Sequence, residues 1–161
     1  MTGHALLSDE AIERELGALL ERSWQSFGMP VVELRPENLL PLVTGLRDSF
    51  GFALLLDVTA VDYPERSPRF DVVYHFYSHR HNQRIRLKTG VPAEQPVVPT
   101  LAGHYGSARY MEREVHEMYG IDFAGNDDLR PILLYEGFVG HPLRKDYPIE
   151  REQPMVPYRT A

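Results

Sequence analysis

The densest run of chemically capable side chains is Gly140-His141-Pro142-Leu143-Arg144-Lys145-Asp146-Tyr147-Pro148. It sets a histidine, two cations, a carboxylate and a tyrosine between chain-directing glycine and proline. As a catalytic site it lacks a nucleophile, and only His141 suits a general base. As a docking segment it is coherent. Arg144 can fork onto a carboxylate, Tyr147 offers area with a polar tip, and the prolines lower the entropy lost on ordering. A second concentration is acidic: Glu112, Glu114 and Glu117, with Arg113 and His116 among them. Such carboxylates can divide acid and base roles, and a stand-alone enzyme would set His141 or this trio in a pocket. Glu112 and His116 are also an i, i+4 pair, so ordinary pairing on a helix surface accounts for them without catalysis.

Three weaker constellations remain. His75, His79 and His81 would share one strand face and offer a metal site if no turn broke the alternation. Arg80, Arg84, Arg86 and Lys88 form a basic stripe beside Tyr74 and Tyr77, which locally resembles a sheet that stacks single-stranded nucleic acid. A formal net charge of −6 opposes that, and solvation or a partner with an acidic patch suits the stripe better. Asp57 and Asp62 flank the entry to the same region. Several chemistries are excluded by residue type. No cysteine is present, which removes disulfides, zinc ribbons, thiol nucleophiles and cysteine-held iron–sulfur clusters. Gly120 to Gly125 has P-loop glycine spacing, but Asn126 and Asp127 stand where Lys and Ser/Thr must follow. His116-Glu117 opens like a zincin motif, and Gly120 stands where its second histidine belongs.

These residues need elements to position them. The 161 residues, 43% hydrophobic and 25% charged, suit one globular domain with an appendage. Ser8 is a candidate N-cap for a first helix whose stripe is Ile12, Leu16, Leu19 and Leu20, stopped by Gly28 and Pro30. Val31–Leu34 suits a strand. A second helix opens near Pro36 and buries Leu39, Leu42, Val43, Leu46 and Phe50, with Gly51 closing it. A continuous apolar run at 53–56, extended by Val58 and Val61, and period-two alternation around 70–77 and 84–88 then predict three strands as an antiparallel meander. A third helix is expected over Ser107–Tyr119, burying Met111, Val115, Met118 and Tyr119 and turning Glu112, Arg113, Glu114, His116 and Glu117 outward. The last forty residues lack a period and are broken by prolines and glycines, yet are rich in large apolar groups. A solvated linker would be poor in these, so the segment needs a surface to lie on. The expected fold is α+β, with helices covering a mostly antiparallel sheet. Residues 1–120 would form the domain and 121–161 an extended C-terminal arm. Nothing approaches the ~20 apolar residues of a membrane span, and no secretory signal is visible.

In order and tight spacing come Glu112-Arg113-Glu114, Met118-Tyr119-Gly120-Ile121-Asp122-Phe123, Gly125, Asp128-Leu129-Arg130, Ile132-Leu133 and Gly140 to Pro148. This series resembles the signature of the 30-kilodalton subunit family, the C-type subunit of bacterial NADH:quinone oxidoreductase (respiratory complex I). Asp57–Tyr63 and Arg69–Tyr74 resemble its strand region. Tyr110-Met111 replaces an aromatic-Leu pair, Asn126-Asp127 replaces His-Pro, and the family's tryptophan near Phe138 is missing. The resemblance implies a non-catalytic scaffold subunit of the peripheral arm, at the cytoplasmic face of the plasma membrane. It implies no prosthetic group on this chain, with FMN, iron–sulfur clusters and quinone on partner subunits. The implied neighbours are the D-type subunit, which descends from the hydrogenase large subunit, the cluster-bearing B-type subunit and other peripheral-arm subunits. No nucleic acid and no membrane span are implied. Expected partner contacts are Glu112, Arg113, Glu114, Asp128, Leu129, Arg130, Gly140, His141, Pro142, Leu143, Arg144, Lys145, Asp146, Tyr147 and Pro148. Replacing Arg144 with alanine is expected to impair assembly and leave the melting temperature nearly unchanged. The same kind of subunit in a membrane-bound hydrogenase, or in a ferredoxin- or deazaflavin-dependent oxidoreductase, is the alternative.

Overall fold

The computed structural model describes residues 9–150. The candidate cap at Ser8 and the end of the expected arm, 151–161, lie outside them. Helix α1 covers Asp9–Leu16 and passes into a 3-10 turn at Gly17–Leu19. The expected continuation to Gly28 does not occur. Leu20 turns extended, at φ −94° and ψ 144°, and Arg22–Ser26 forms strand β1. A short helix is marginal by itself, whereas β1 gains a full ladder against β2, Met29–Leu34. Trp24 adds to this, with the Arg22 guanidinium 5.0 Å and the Lys88 ammonium 5.8 Å from its ring.

A 3-10 turn at Pro36–Asn38 leads into α2, Leu39–Asp48. Pro41 falls at the third helical position, where the N–H has no intrahelical acceptor, so its absence costs little. Leu39, Leu42, Val43 and Leu46 are fully buried on one face. The predicted meander follows as β3 (Leu54–Asp62), β4 (Phe70–Ser78) and β5 (Gln83–Val91). Its register pairs Asp62 with Phe70 and Tyr74 with Leu87. Val58, Ala60, Phe70, Val72, Tyr74, Phe76, Ile85 and Leu87 face the core with the α2 stripe, Phe52 and Val115. Five strands make the sheet in the order β1-β2-β5-β4-β3. All pairings are antiparallel except β2 with β5. The architecture is therefore the expected α+β, with a mixed sheet.

Two three-residue strands were not foreseen. β6 (Val97–Pro99) pairs in parallel with β7 (Asp122–Ala124), and α3 (Ala108–Tyr119) connects them. This small β-α-β unit sets α3 against β3. Ile121 and Phe123 lie in the core, so the chain keeps contributing to the body past residue 120.

Candidate docking surface

The site is built around the middle and the C-terminal end of α3. Glu112 was expected on the outer face, but its carboxylate is completely buried. It accepts hydrogen bonds from Thr100 Oγ1 at 2.6 Å, the Leu101 amide at 2.7 Å and Asn126 Nδ2 at 2.8 Å. Thr100 follows β6 and Asn126 follows β7, so one carboxylate ties both strand exits to the helix between them. Burial raises its pKa, and the three donors hold the charge in part. Glu117 is likewise buried, and accepts from the amides of Ile132 at 3.1 Å, Leu133 at 2.9 Å and Leu134 at 2.7 Å. Three successive amides around one carboxylate form an anion nest, and they fix the course of the chain over α3. The outward face expected for α3 is therefore corrected at both acids: each serves a segment that would otherwise have stranded donors. Glu114 stays exposed.

The C-terminal end of α3 also shows what the Gly140–Pro148 run does within the chain. A helix leaves its last carbonyls without intrahelical partners. Here the Gly120 amide donates to His116 O at 2.7 Å, His141 Nδ1 lies 2.9 Å from Glu117 O, and the Leu143 amide donates to Met118 O at 3.1 Å. Arg144 Nε donates to Tyr119 O, and its Nη2 reaches Gly120 O at 3.4 Å. Its guanidinium also sits 5.2 Å from the ring of Phe70. Gly120 is left-handed, at φ 68° and ψ 34°. A Cβ there would stand 2.5 Å from His141 Nε2 and 2.6 Å from Arg144 Nη2. Glycine supplies both the turn and the room for the clasp.

The clasp continues to the sheet. Asp62 accepts a two-pronged bond from Arg69, at 2.7 and 2.8 Å, and the Lys145 amide at 2.7 Å. Arg69 also bonds Asp146 at 2.8 Å. The Arg69 guanidinium and Lys145 amide hold the Asp62 carboxyl below the usual carboxylate range, against a desolvation that opposes them. Arg113 donates to the carbonyls of Arg130 and Pro131 at 2.9 and 3.0 Å. Asp128 binds Arg130 at 2.8 and 2.9 Å, and this guanidinium holds its carboxyl well below the usual range. Phe138 meets Tyr135 edge-on, with centroids 5.6 Å apart, and stacks on Tyr147 at 6.1 Å.

Residues 125–150 thus turn many of their polar groups inward. Leu129 packs half-buried against the core and Leu134 is half-buried, whereas the other large aliphatic groups point outward. Twelve large hydrophobics are exposed among the described residues, and six of them, Ile132, Leu133, Tyr135, Val139, Leu143 and Ile149, belong to this strip.

Comparison with known proteins identifies the chain. Residues 32–153 match the family described as respiratory-chain NADH dehydrogenase, 30 Kd subunit. The chain belongs to this family. It is similar to the NADH-quinone oxidoreductase C subunit of Ruegeria pomeroyi, 50% identical over 145 residues, covering 84% of this chain and 72% of that one. The corresponding protein of Coxiella burnetii is 40% identical over 173 residues, covering 87% and 76%. A trypsin-resistant fragment of Nqo5 superposes with a TM-score of 0.61 at 32% identity, over 65% of this chain and 86% of the fragment. A chain of the membrane-bound sulfane sulfur reductase, an archaeal respiratory membrane complex, shares the fold with a TM-score of 0.76 at 21% identity, over 88% and 84%.

Of the residues this 30 Kd subunit resemblance implied for partner contact, Leu129 packs half-buried against the core, Tyr147 stacks on Phe138, Pro142 is half-buried and Gly140 is exposed, and the rest fall into two groups. Glu112, Arg113, His141 and Arg144 bond within the chain, as do Asp128, Arg130 and Asp146. Leu143 and Pro148 remain open, and so do the side chains of Lys145 and Glu114. Because Arg144 bonds the end of α3, its replacement is expected to move the melting temperature, a correction to the sequence-based expectation. Leu133 and Val139, which the expected contact set does not include, are more exposed than Leu143. Their signal was their number in an aperiodic segment. No grouping of three or more His, Asp or Glu suited to a metal occurs among the described residues, and His75, His79 and His81 do not form one. Glu112, Glu114 and Glu117 do not converge. The cleft of about 150 Å³ beside His141 and Glu117 is smaller than a typical cofactor pocket of ~300–1,000 Å³. No described helix is long and apolar enough to cross a membrane.

Proposed function

We propose that this protein is a scaffold of the peripheral arm of an NADH:quinone oxidoreductase, and that residues 125–150 are its adhesive strip. One observation carries the reading: the backbone of the strip is pinned to α3 and the sheet while Ile132, Leu133, Val139, Leu143 and Ile149 face outward. A segment pinned in advance loses little entropy when a partner covers it. The neighbours it suits are the D-type subunit descended from the hydrogenase large subunit and the cluster-bearing B-type subunit, with FMN, clusters and quinone on partners. Electron transfer then depends on this chain for the spacing of its neighbours. Its place is peripheral, at the cytoplasmic face of the plasma membrane. Support comes from the family match, the relatives of the same kind and the contrast between inner and outer faces of the strip.

The test replaces exposed side chains that lie outside the packed body. Leu133→Asp with Val139→Asp should leave the melting temperature of the isolated protein within about 4 °C, since each surface substitution away from packed groups costs under ~0.5 kcal/mol. On native gels of membranes from cells carrying the variant, the assembled complex should be lost. An assembled, active complex would overturn the adhesive role. The shared fold of the sulfane sulfur reductase chain keeps a related membrane complex as a second reading, and the proteins that co-purify with this chain separate the two.

A further inference from the structure

The end of the sheet away from the strip carries a second exposed surface. On its open face a trough of about 740 Å³ runs across the strands. Phe27 and Met29 of the β1–β2 hairpin wall one side, Leu54 and Leu56 of β3 the other, and Arg84 and Arg86 of β5 lie between. Three features set it apart. First, Phe27 breaks a local rule. Ser26 pairs with Met29, so Phe27-Gly28 is a two-residue turn, with φ of 51° and 74°. Such a turn favours asparagine before glycine, and a bulky residue there is strained. Phe27 nonetheless occupies it and is wholly exposed, so it gains no burial in return. A strained residue held outward points to use rather than to folding.

Second, the two arginines lack balancing acids. The register sets Arg84 opposite Tyr77, and Arg86 between His75 and Val31. Asp57 is the nearest acid in that row, and His75 separates it from Arg86. Arg86 Nε is a buried donor with no hydrogen-bond partner. Lys88, one step along the same face, is by contrast 3.6 Å from Asp71. Third, Leu54 and Leu56 are exposed where an edge strand begins. We propose that this trough is a second docking face, taking an extended acidic segment of a neighbouring polypeptide with Phe27 as its apolar anchor. Arginine forks on carboxylates and an aromatic set among aliphatic walls form the pattern of a binding hot spot. From Leu54 to Asp62, where the strip is pinned, is eight residues of strand, roughly 25 Å. The two faces can therefore hold two different bodies.

The experiment uses the assembled complex. A photo-crosslinking benzoylphenylalanine replaces Phe27, and in a separate preparation Leu133. After irradiation the joined peptides are sequenced by mass spectrometry. The proposal expects Phe27 to join another polypeptide at a segment rich in Asp or Glu. Arg84→Glu with Arg86→Glu should cut that yield at least tenfold, while Arg22→Glu, outside the trough, should not. Phe27→Asn suits the turn, so it should hold or raise the melting temperature yet lower the salt concentration at which the protein washes off. The proposal is overturned by a join to a second copy of this chain, a join to a segment without acids, or no polypeptide join. A yield indifferent to charge reversal, or an unchanged wash-off point for Phe27→Asn, also overturns it. The Leu133 crosslink reports on the strip alone, so a failure at one face leaves the other legible.

Discussion

At the scale of single residues, the acids of α3 decide most of the site. Glu112→Ala would strand the buried Leu101 amide and take the acceptor from the half-buried Thr100 hydroxyl and Asn126 amide. Each unsatisfied buried donor costs about 1–3 kcal/mol, so a loss of roughly 3 kcal/mol is expected, a fall of ~6–12 °C for a domain of this size. Calorimetry of the isolated protein measures it. Acid acts oppositely at two carboxylates. Asp62 has a depressed pKa when folded. Its contribution is complete above the ordinary carboxylate range and is lost as pH falls through the depressed value. Glu112 has a raised pKa, so its ionisation weighs against the fold as pH rises through that value. The pin on Lys145 should therefore fail only in acid, below about pH 4. The chemical shift of the Lys145 amide, followed from pH 6 downward, should move there and not earlier. Asp62→Asn should abolish that transition. The burial of Glu112 left a trace in the sequence: Ala108, Glu112 and Val115 share one helical stripe, and an acid on an apolar stripe is an inward acid. Hydrophobic periodicity assigns charge to the outside by default and passes over it.

At the scale of elements, the arm and α3 are completed by each other. Gly120→Ala would add strain at a left-handed position and drive a methyl into His141 and Arg144. A cost of at least ~1 kcal/mol is expected from the backbone alone, with the clasp opened besides. Limited trypsin digestion should cut the variant at Arg144 or Lys145 well before the parent chain. Arg144→Ala should show the same exposure with a smaller fall in melting temperature. The meander, the α2 stripe and the extent of α3 were legible: 3.6-residue periods run through the helices and a two-residue period through β4 and β5, while β3, whose register slips between Leu55 and Asp57, shows as a continuous apolar run. β1 was not. Ser23 and Gln25 alternate with Arg22, Trp24 and Ser26, so the strand has almost no apolar face to announce it. β6 and β7 have three residues each and depend on one another across α3, a distance that no local pattern spans. The clasp by Gly140–Pro148 was legible as polar chemistry but not as an inward one. Its acceptors are backbone carbonyls, which every sequence has.

At the scale of the molecule, two faces look outward: an aliphatic strip beside α3 and a basic trough at the far end of the strands. Neither is needed to close the core, which consists of Leu39, Phe52, Phe70, Phe76 and their neighbours. This separation is what allows stability and assembly to be altered independently. The parallel pairing of β2 with β5 has a further consequence, for synthesis. Val31 meets Arg86, 55 positions later in the chain. At ~5–20 residues per second, the ribosome needs about 3–11 s to make that stretch, and long-range pairing is slow in itself. During this interval the edge of β2 that β5 will cover stays bare, a ready template for the wrong neighbour. Nascent chains arrested before Gln83 should accordingly be bound by holdase chaperones through Met29–Leu34, and release should follow once Thr89 has left the tunnel.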